Sequence, residues 1–258
     1  MAAVAALGVA LVGCGQQDSG SGTRTEGKQE KQTASAGGNG AKVLWVGDSI
    51  AGAEAPAMEA ALKASGVGFK DASSDGGGTV VDSGEEITKM ISDDTWKQLT
   101  KNIASFKPTV IAYQVTTYDW GKPDQQRAAY EKLVKTAKDA GAKVVFIPSP
   151  PVKIDGFYKQ HEAQMRTAPK TAEEVAAKNK DVATYLDAAQ LWGTDQAAKK
   201  AQRGPDGIHN CQQGAAAFAK WFGEELGKHE GFKPAPVDEW AKGGWTGSDR
   251  YGKLKCAS

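Results

Sequence analysis

From residue 42 onward, short and nearly uninterrupted apolar runs alternate with longer segments in which apolar residues recur every three or four positions. The runs 43–46, 67–71, 109–115, 143–147 and 182–186 predict five strands. Strands this uniformly apolar are buried on both faces, as in a parallel sheet covered by helices. The segments 53–64, 85–91, 95–106, 125–140 and 213–228 carry the helical period, with Gly66, Pro108 and Gly141 as stops. In the last of them Ala217, Phe218, Trp221, Phe222 and Leu226 fall on or near one face. The pattern predicts an α/β fold of three layers, α/β/α, with a five-stranded parallel sheet, over residues 42–231. Residues 232–258, rich in Gly and holding Trp240, Trp245 and Tyr251, read as an irregular tail packed on the domain.

The first 41 residues follow a different rule. Residues 2–12 are an apolar run of signal-peptide length ending in Leu11-Val12-Gly13-Cys14, which resembles a bacterial lipobox. That resemblance implies a lipoprotein signal over residues 1–14, lipidation of Cys14, and export to the extracytoplasmic face of a bacterial cell membrane. No Lys or Arg occurs in residues 1–12, where a signal peptide opens with a basic region, so the start of translation is expected upstream. Residues 15–41 are dominated by Gly, Ser, Gln, Thr and Lys and carry too little apolar surface to fold, so they read as a flexible linker.

The 258 residues carry 32 Lys and Arg against 31 Asp and Glu, and no basic cluster lies beside aromatics, which argues against nucleic acid as a partner. After the N-terminus no segment reaches the roughly 20 apolar residues of a membrane-crossing helix. There are three cysteines. With Cys14 lipidated, Cys211 and Cys256 remain as a pair in a compartment that permits oxidation, and a disulfide between them is expected to tie the tail to the main domain.

In an open parallel sheet, functional groups collect beyond the carboxyl ends of the strands. The stretches to search are Gly47-Asp48-Ser49, Gly76-Gly77-Gly78-Thr79, Thr116-Thr117-Tyr118-Asp119, Pro148-Ser149-Pro150-Pro151, and Asp206-Gly207-Ile208-His209-Asn210 before the last helix. A serine hydroxyl needs a base to accept its proton, and the base needs a partner that fixes its tautomer. Of the three histidines, His161 lies in a polar stretch and His229 at a helix end. His209 alone follows a loop carboxylate and precedes a helix. This makes Ser49, His209 and Asp206 the candidate nucleophile, base and orienting carboxylate. No His or Cys cluster has metal-ligand spacing, and the glycine run lacks the Gly-Lys-Ser/Thr ending of a phosphate loop, so neither a metal nor another cofactor is expected.

Gly47-Asp48-Ser49 followed, in order and at a matching separation, by Asp206-Gly207-Ile208-His209 resembles the first and last blocks of the SGNH or GDSL-like hydrolase family. The resemblance implies a flavodoxin-like fold and hydrolysis or transfer of O-linked acyl groups through an acyl-enzyme. It also implies an oxyanion hole built from Ser49 N–H and a glycine of the second block. Gly76, Gly77 and Gly78 compete for that place, with Gly77 preferred and Gly78 beside it. The family places Gly-x-Asn-Asp after the third strand. Here Thr116 stands at the Gly position and Tyr118 at that of the Asn, leaving Thr117 and Tyr118 as substitute contacts.

Variants without that Asn are known among SGNH domains linked to polysaccharide O-acylation, and residues 43–49 together with Cys211 resemble that branch. The resemblance implies acylated carbohydrate, or another small ester, as substrate. Tyr118, Trp120 and Trp192, near the expected mouth, are candidates to stack on sugar rings, with buried core packing the more common fate of such residues. A non-catalytic glycan-binding or envelope-assembly lipoprotein on the same fold is the alternative.

Overall fold

The computed structural model describes residues 40–256. Five strands, β1 (Lys42–Val46), β2 (Gly68–Asp71), β3 (Val110–Val115), β4 (Lys143–Pro148) and β5 (Ala183–Tyr185), form one sheet in the order β2-β1-β3-β4-β5. Every neighbouring pair is parallel. The helices are α1 (Ser49–Ala64), α2 (Glu86–Phe106), α3 (Pro123–Asp139), α4 (Glu162–Lys178), α5 (Ala189–Trp192), α6 (Gln212–Glu230), α7 (Val237–Trp240) and α8 (Asp249–Lys253).

The three central strands, β1, β3 and β4, supply both faces of the core by simple alternation. Val43, Trp45, Val110, Ala112, Val145 and Ile147 pack with α1, α6 and the tail, whereas Leu44, Val46, Ile111, Tyr113, Val144 and Phe146 pack with α2, α3 and α4. Trp45 anchors the first face, its ring 5.7 Å from those of both Phe218 and Phe222 on α6. Helix α1 is sandwiched between the sheet, α6 and the tail, which is why Ala51, Ala53, Ala55, Ala57 and Met58 are all buried. Its small side chains allow that approach from several sides at once.

Three expectations are corrected by this architecture. Helix α1 begins at Ser49, not residue 53, because Asp48 caps it by accepting a hydrogen bond from Ile50 N–H. The two helices expected over 85–91 and 95–106 are one, α2. Asp93 turns outward there to pair with Lys89 at 2.6 Å and does not interrupt the helix. Helix α4 was not expected at all, since its buried face is Ala168, Thr171, Ala172, Val175 and Ala176, with Pro169 inside it.

The tail also departs from an irregular reading. It contains α7, α8 and a short 3-10 turn, and Trp240 and Tyr251 are buried against the domain. The expected signal segment, the lipidation site Cys14 and nearly all of the expected linker lie outside the described residues. Among the described residues no helix is long and apolar enough to cross a membrane.

Candidate active site

The site lies beyond the carboxyl ends of β1, β2 and β3. Ser49 is the first residue of α1, where backbone N–H groups have no partner within the helix and the helix dipole favours negative charge. Its hydroxyl Oγ is 2.8 Å from His209 Nε2. On the other side of the ring His209 Nδ1 is 2.7 Å from Asp206 Oδ2. A hydrogen on Nδ1 directed at the carboxylate leaves Nε2 free to accept from the serine.

The loop that carries Asp206 and His209 is a tight hairpin. Arg203 and Asn210 form an antiparallel bridge at its base, and Gly204 N–H donates to His209 C=O at 2.6 Å. At its tip Asp206 Oδ1 accepts from the N–H groups of Ile208 and His209, both at 2.9 Å, an Asx-type turn. Gly207 sits there at φ +72°, a conformation that disfavours other residues. Arg203 reaches across to donate from Nη1 to Ile208 C=O at 2.9 Å. Partial burial pushes the Asp206 carboxyl up, but the bonds it accepts from the His209 ring and the two backbone N–H groups outweigh that and hold it below its ordinary value.

Asp48 is buried and plays a second part besides capping α1. Its Oδ2 accepts from Thr117 N–H at 2.9 Å and from Thr117 Oγ1 at 2.7 Å. Thr117 is therefore occupied as a tie between the β1 and β3 loops. That corrects its expected role as a substrate or oxyanion contact. Asp119 is likewise a buried hub, accepting from the hydroxyls of Thr79, Tyr113 and Tyr130 and from Thr116. Burial pushes its carboxyl above the ordinary value, with those donated bonds opposing.

Of the glycines, Gly76 is exposed while Gly77 and Gly78 are buried. Gly78 lies so close to the Gly47 backbone that a Cβ would collide with the Gly47 carbonyl oxygen. Gly77, at φ +97°, lies against the rings of Tyr118 and the side chain of Ile91. Their N–H groups have no hydrogen-bond partner among the described residues. The second-block loop is thus pressed onto the strand-to-helix turn that carries Ser49.

Two of the candidate stacking residues have the core fate that is the commoner one for tryptophan. Trp120 is 3 % exposed, donates from Nε1 to Thr117 C=O at 2.5 Å, and lies flat on the His161 ring at 3.6 Å. Trp192 is 1 % exposed and stacks on Phe218 at 6.0 Å. Both are held by neighbours on each face and present no open ring to a ligand. Tyr118 is only half-buried. Phe157, 47 % exposed, meets it edge-on at 6.1 Å, with Tyr158 next to both. Phe157 and Tyr158 lie in the long connection after β4, and nothing in their local sequence marks them as part of a site.

The other wall comes from the tail. A cavity of about 260 Å³ opens at Ser49 and His209 and is completed by Ala53, Asp75, Arg250, Lys253 and Leu254. Arg250 is steered there by Asp71 at 2.9 Å and Asp75 at 3.4 Å, and Tyr251 donates to Ala53 C=O at 3.1 Å. The Cys211–Cys256 disulfide, with Cα atoms 5.6 Å apart, fastens the end of this wall two residues beyond His209. Cysteine parity reveals the bond in the sequence, but nothing reveals Arg250, Lys253 or Leu254. Among the described residues no group of His, Cys, Asp and Glu side chains is arranged to hold a metal ion.

Residues 14–199 match the family described as "SGNH domain (fused to AT3 domains)", and the chain belongs to that family. No functionally curated protein matches it in sequence. Among solved structures it is similar to a GDSL-like lipase from Bacteroides thetaiotaomicron, with 12 % identity over 73 % of this chain and 88 % of that one and a TM-score of 0.55. It is also similar to an α/β hydrolase enzyme from the metagenome of Lake Arreo, Spain (16 % identity, 75 % and 98 % covered, TM-score 0.54). A third is an acetylxylan esterase from Geobacillus stearothermophilus (14 % identity, 75 % and 97 % covered, TM-score 0.50). At these identities the likeness is one of fold. The family match ends at residue 199, so the Asp206–His209 loop and the tail wall lie beyond it.

Proposed function

We propose that this chain is an exported serine esterase or acyltransferase acting on O-acyl esters borne by carbohydrate or cell-envelope glycan. The observation that carries the reading is the continuous contact from Ser49 Oγ to His209 Nε2 and from His209 Nδ1 to Asp206, at 2.8 and 2.7 Å. His209 takes the proton as Ser49 attacks the ester carbonyl, and Asp206 stabilises the imidazolium that forms. The proton then passes to the departing sugar hydroxyl, and water or a second sugar hydroxyl resolves the acyl-enzyme.

The N–H groups of Ser49 and of Gly77 or Gly78 receive the oxyanion. Each such donor typically contributes about 3 kcal/mol to the transition state. The third donor is the hydroxyl of Tyr118, which lies against Gly77, because Thr117 is spent on Asp48. The small cavity between Ala53 and Leu254 suits a short acyl group and not a long lipid chain. Tyr118 and Phe157, backed by the buried Tyr158, supply the apolar surface on which a sugar ring packs. Anchoring through Cys14 belongs to the same proposal and is read by whether Cys14→Ala releases the protein from membranes.

The test is a release assay on acetylated, succinylated and longer-chain sugar esters, with and without a free sugar acceptor, beside Ser49→Ala. Short-chain release that vanishes in Ser49→Ala supports the proposal. Tight glycan binding with no release from any ester overturns it.

A further inference from the structure

Among the described residues, eight buried side-chain polar atoms lack a hydrogen-bond partner, and six of them belong to five side chains. They are Glu54 Oε1, Gln114 Oε1, Arg203 Nη2, Trp192 Nε1 and both Oδ1 and Nδ2 of Asn210. These residues form one cluster. Gln114 Nε2 donates to Glu54 Oε2 at 2.7 Å. Arg203 lies 4.8 Å over the Trp192 ring, is bridged through its backbone to Asn210, and is close enough to Glu54 for each charge to act on the other. Glu54, Gln114 and Asn210 are fully buried.

Such a concentration of orphaned groups costs stability unless something satisfies them. Gln114 Oε1 and Asn210 Oδ1 accept, Trp192 Nε1, Arg203 Nη2 and Asn210 Nδ2 donate, and Glu54 Oε1 accepts when ionised and donates when protonated. An anion would ask for donors and a cation for acceptors. A mixed set suits water, which does both and typically makes about three bonds when buried.

The placement gives the cluster a purpose. Glu54 stands on α1, little more than one turn beyond Ser49, and Gln114 on β3. Arg203 begins the hairpin and holds Ile208 C=O, the carbonyl immediately before His209. We infer that Glu54 and Arg203, joined through a buried hydrated site shared with Gln114, Asn210 and Trp192, are positioning residues that lock the His209 loop onto the helix of Ser49. This rests on the reading of Ser49 and His209 as a reacting pair. Neither positioning residue touches substrate. Both act by keeping Nε2 within reach of Oγ, where a displacement of about 1 Å costs roughly a hundredfold in rate.

The clamp carries a pH signature. Burial pushes the Glu54 carboxyl up to about 8, with Arg203 and Gln114 lowering it and Asp48 raising it. The groups facing it are Arg203, Gln114, Asp48 and Tyr251, and Glu54 in turn helps to raise the Tyr251 hydroxyl. Below that pH the clamp is a neutral acid facing a guanidinium. Above it the carboxylate is charged in a site whose burial disfavours charge, so the clamp loosens as Glu54 ionises.

The test uses the full chain and three variants, Arg203→Met, Arg203→Lys and Glu54→Gln, with melting curves to establish that each is folded. Fluorophosphonate labelling of Ser49 and hydrolysis of p-nitrophenyl acetate are followed across pH. The Arg203 variants are expected to lose on the order of tenfold or more in labelling rate and kcat with KM little changed. Wild type is expected to lose rate as pH rises through about 8, a fall that Glu54→Gln lacks. Labelling of both Arg203 variants at the wild-type rate, with superimposable profiles for wild type and Glu54→Gln, overturns the clamp.

If the wild type neither labels nor turns over, the serine reading fails instead, and the clamp is judged by the His209 ring proton in NMR spectra. A Nδ1–H signal protected from exchange in wild type and lost in Arg203→Met supports the clamp. A signal equally protected in both refutes it.

Discussion

Asp48 holds Thr117 with one carboxylate oxygen, at 2.9 Å from its N–H and 2.7 Å from its hydroxyl, while the other oxygen caps α1 at Ile50. One buried side chain thus fixes both the start of the helix that bears Ser49 and the loop beyond β3. Replacing it with Ala leaves buried donors unpaired and the helix uncapped. Asp48→Ala is expected to lose about 3 kcal/mol of unfolding free energy, read by chemical denaturation. Thr117→Val, which keeps the N–H bond, should lose only about 1 kcal/mol and retain most ester turnover. Loss of turnover on the scale of Ser49→Ala would instead make the Thr117 hydroxyl a reacting group.

The glycine loop is expected to respond position by position. A Cβ on Gly78 meets the Gly47 carbonyl, and one on Gly77 is strained at φ +97°, whereas a Cβ on Gly76 meets open space. Gly76→Ala should therefore leave stability within about 0.5 kcal/mol, while Gly78→Ala displaces the Ser49 turn and abolishes most activity. Paired melting and turnover measurements distinguish the three, and an active Gly78→Ala would contradict the close approach.

The Cys211–Cys256 bond spans a sequence separation of 45 residues. By chain entropy it stabilises the domain by about 4 kcal/mol, and observed values for such bonds range from about 2 to 5 kcal/mol. It also fastens the wall bearing Arg250, Lys253 and Leu254. Cys256→Ser is expected to lower the melting temperature and to raise KM for short-chain esters more than it lowers kcat, since the tail borders the cavity and the triad geometry lies in the loop. An unchanged KM would mean that the tail does not face substrate.

Glu54 makes stability depend on pH in an unusual direction for a carboxylate. Its folded value, about 8, is above the ordinary one, so the folded state holds a proton that the unfolded chain has released. Stability from this group is fully present below the unfolded value and is lost as pH rises toward about 8. Wild type should become less stable between pH 5 and about 8.5, and Glu54→Gln should flatten that slope in denaturant titrations. Parallel slopes would show that Glu54 is not the group responsible.

The sheet and the ends of its strands were legible because alternation and burial are written directly into residues such as Val43–Val46 and Val110–Val115. Ser49, Asp206 and His209 were legible because strand-end and helix-start positions can be located without knowing the packing. Helix α4 was hidden because its buried face is mostly Ala and Thr. The fate of Thr117 was hidden because it depends on Asp48, a partner distant in sequence, and for Trp120 and Trp192 the sequence offers core packing without showing the partners His161 and Phe218. Glu54 and Arg203 gave no local sign, for a charge in a helix or a loop is ordinarily solvated and only the tertiary structure buries it.

The most direct test of the account is intact-mass measurement after incubation with a fluorophosphonate, on wild type, Ser49→Ala, His209→Ala and Asp206→Asn. One adduct mapping to Ser49 in wild type, none in Ser49→Ala, and labelling slowed by about a hundredfold or more without His209 is the predicted result, with Asp206→Asn slowed as well. Labelling of Ser49→Ala equal to wild type, or wild type that stays unmodified under conditions that label a control serine esterase, would contradict it.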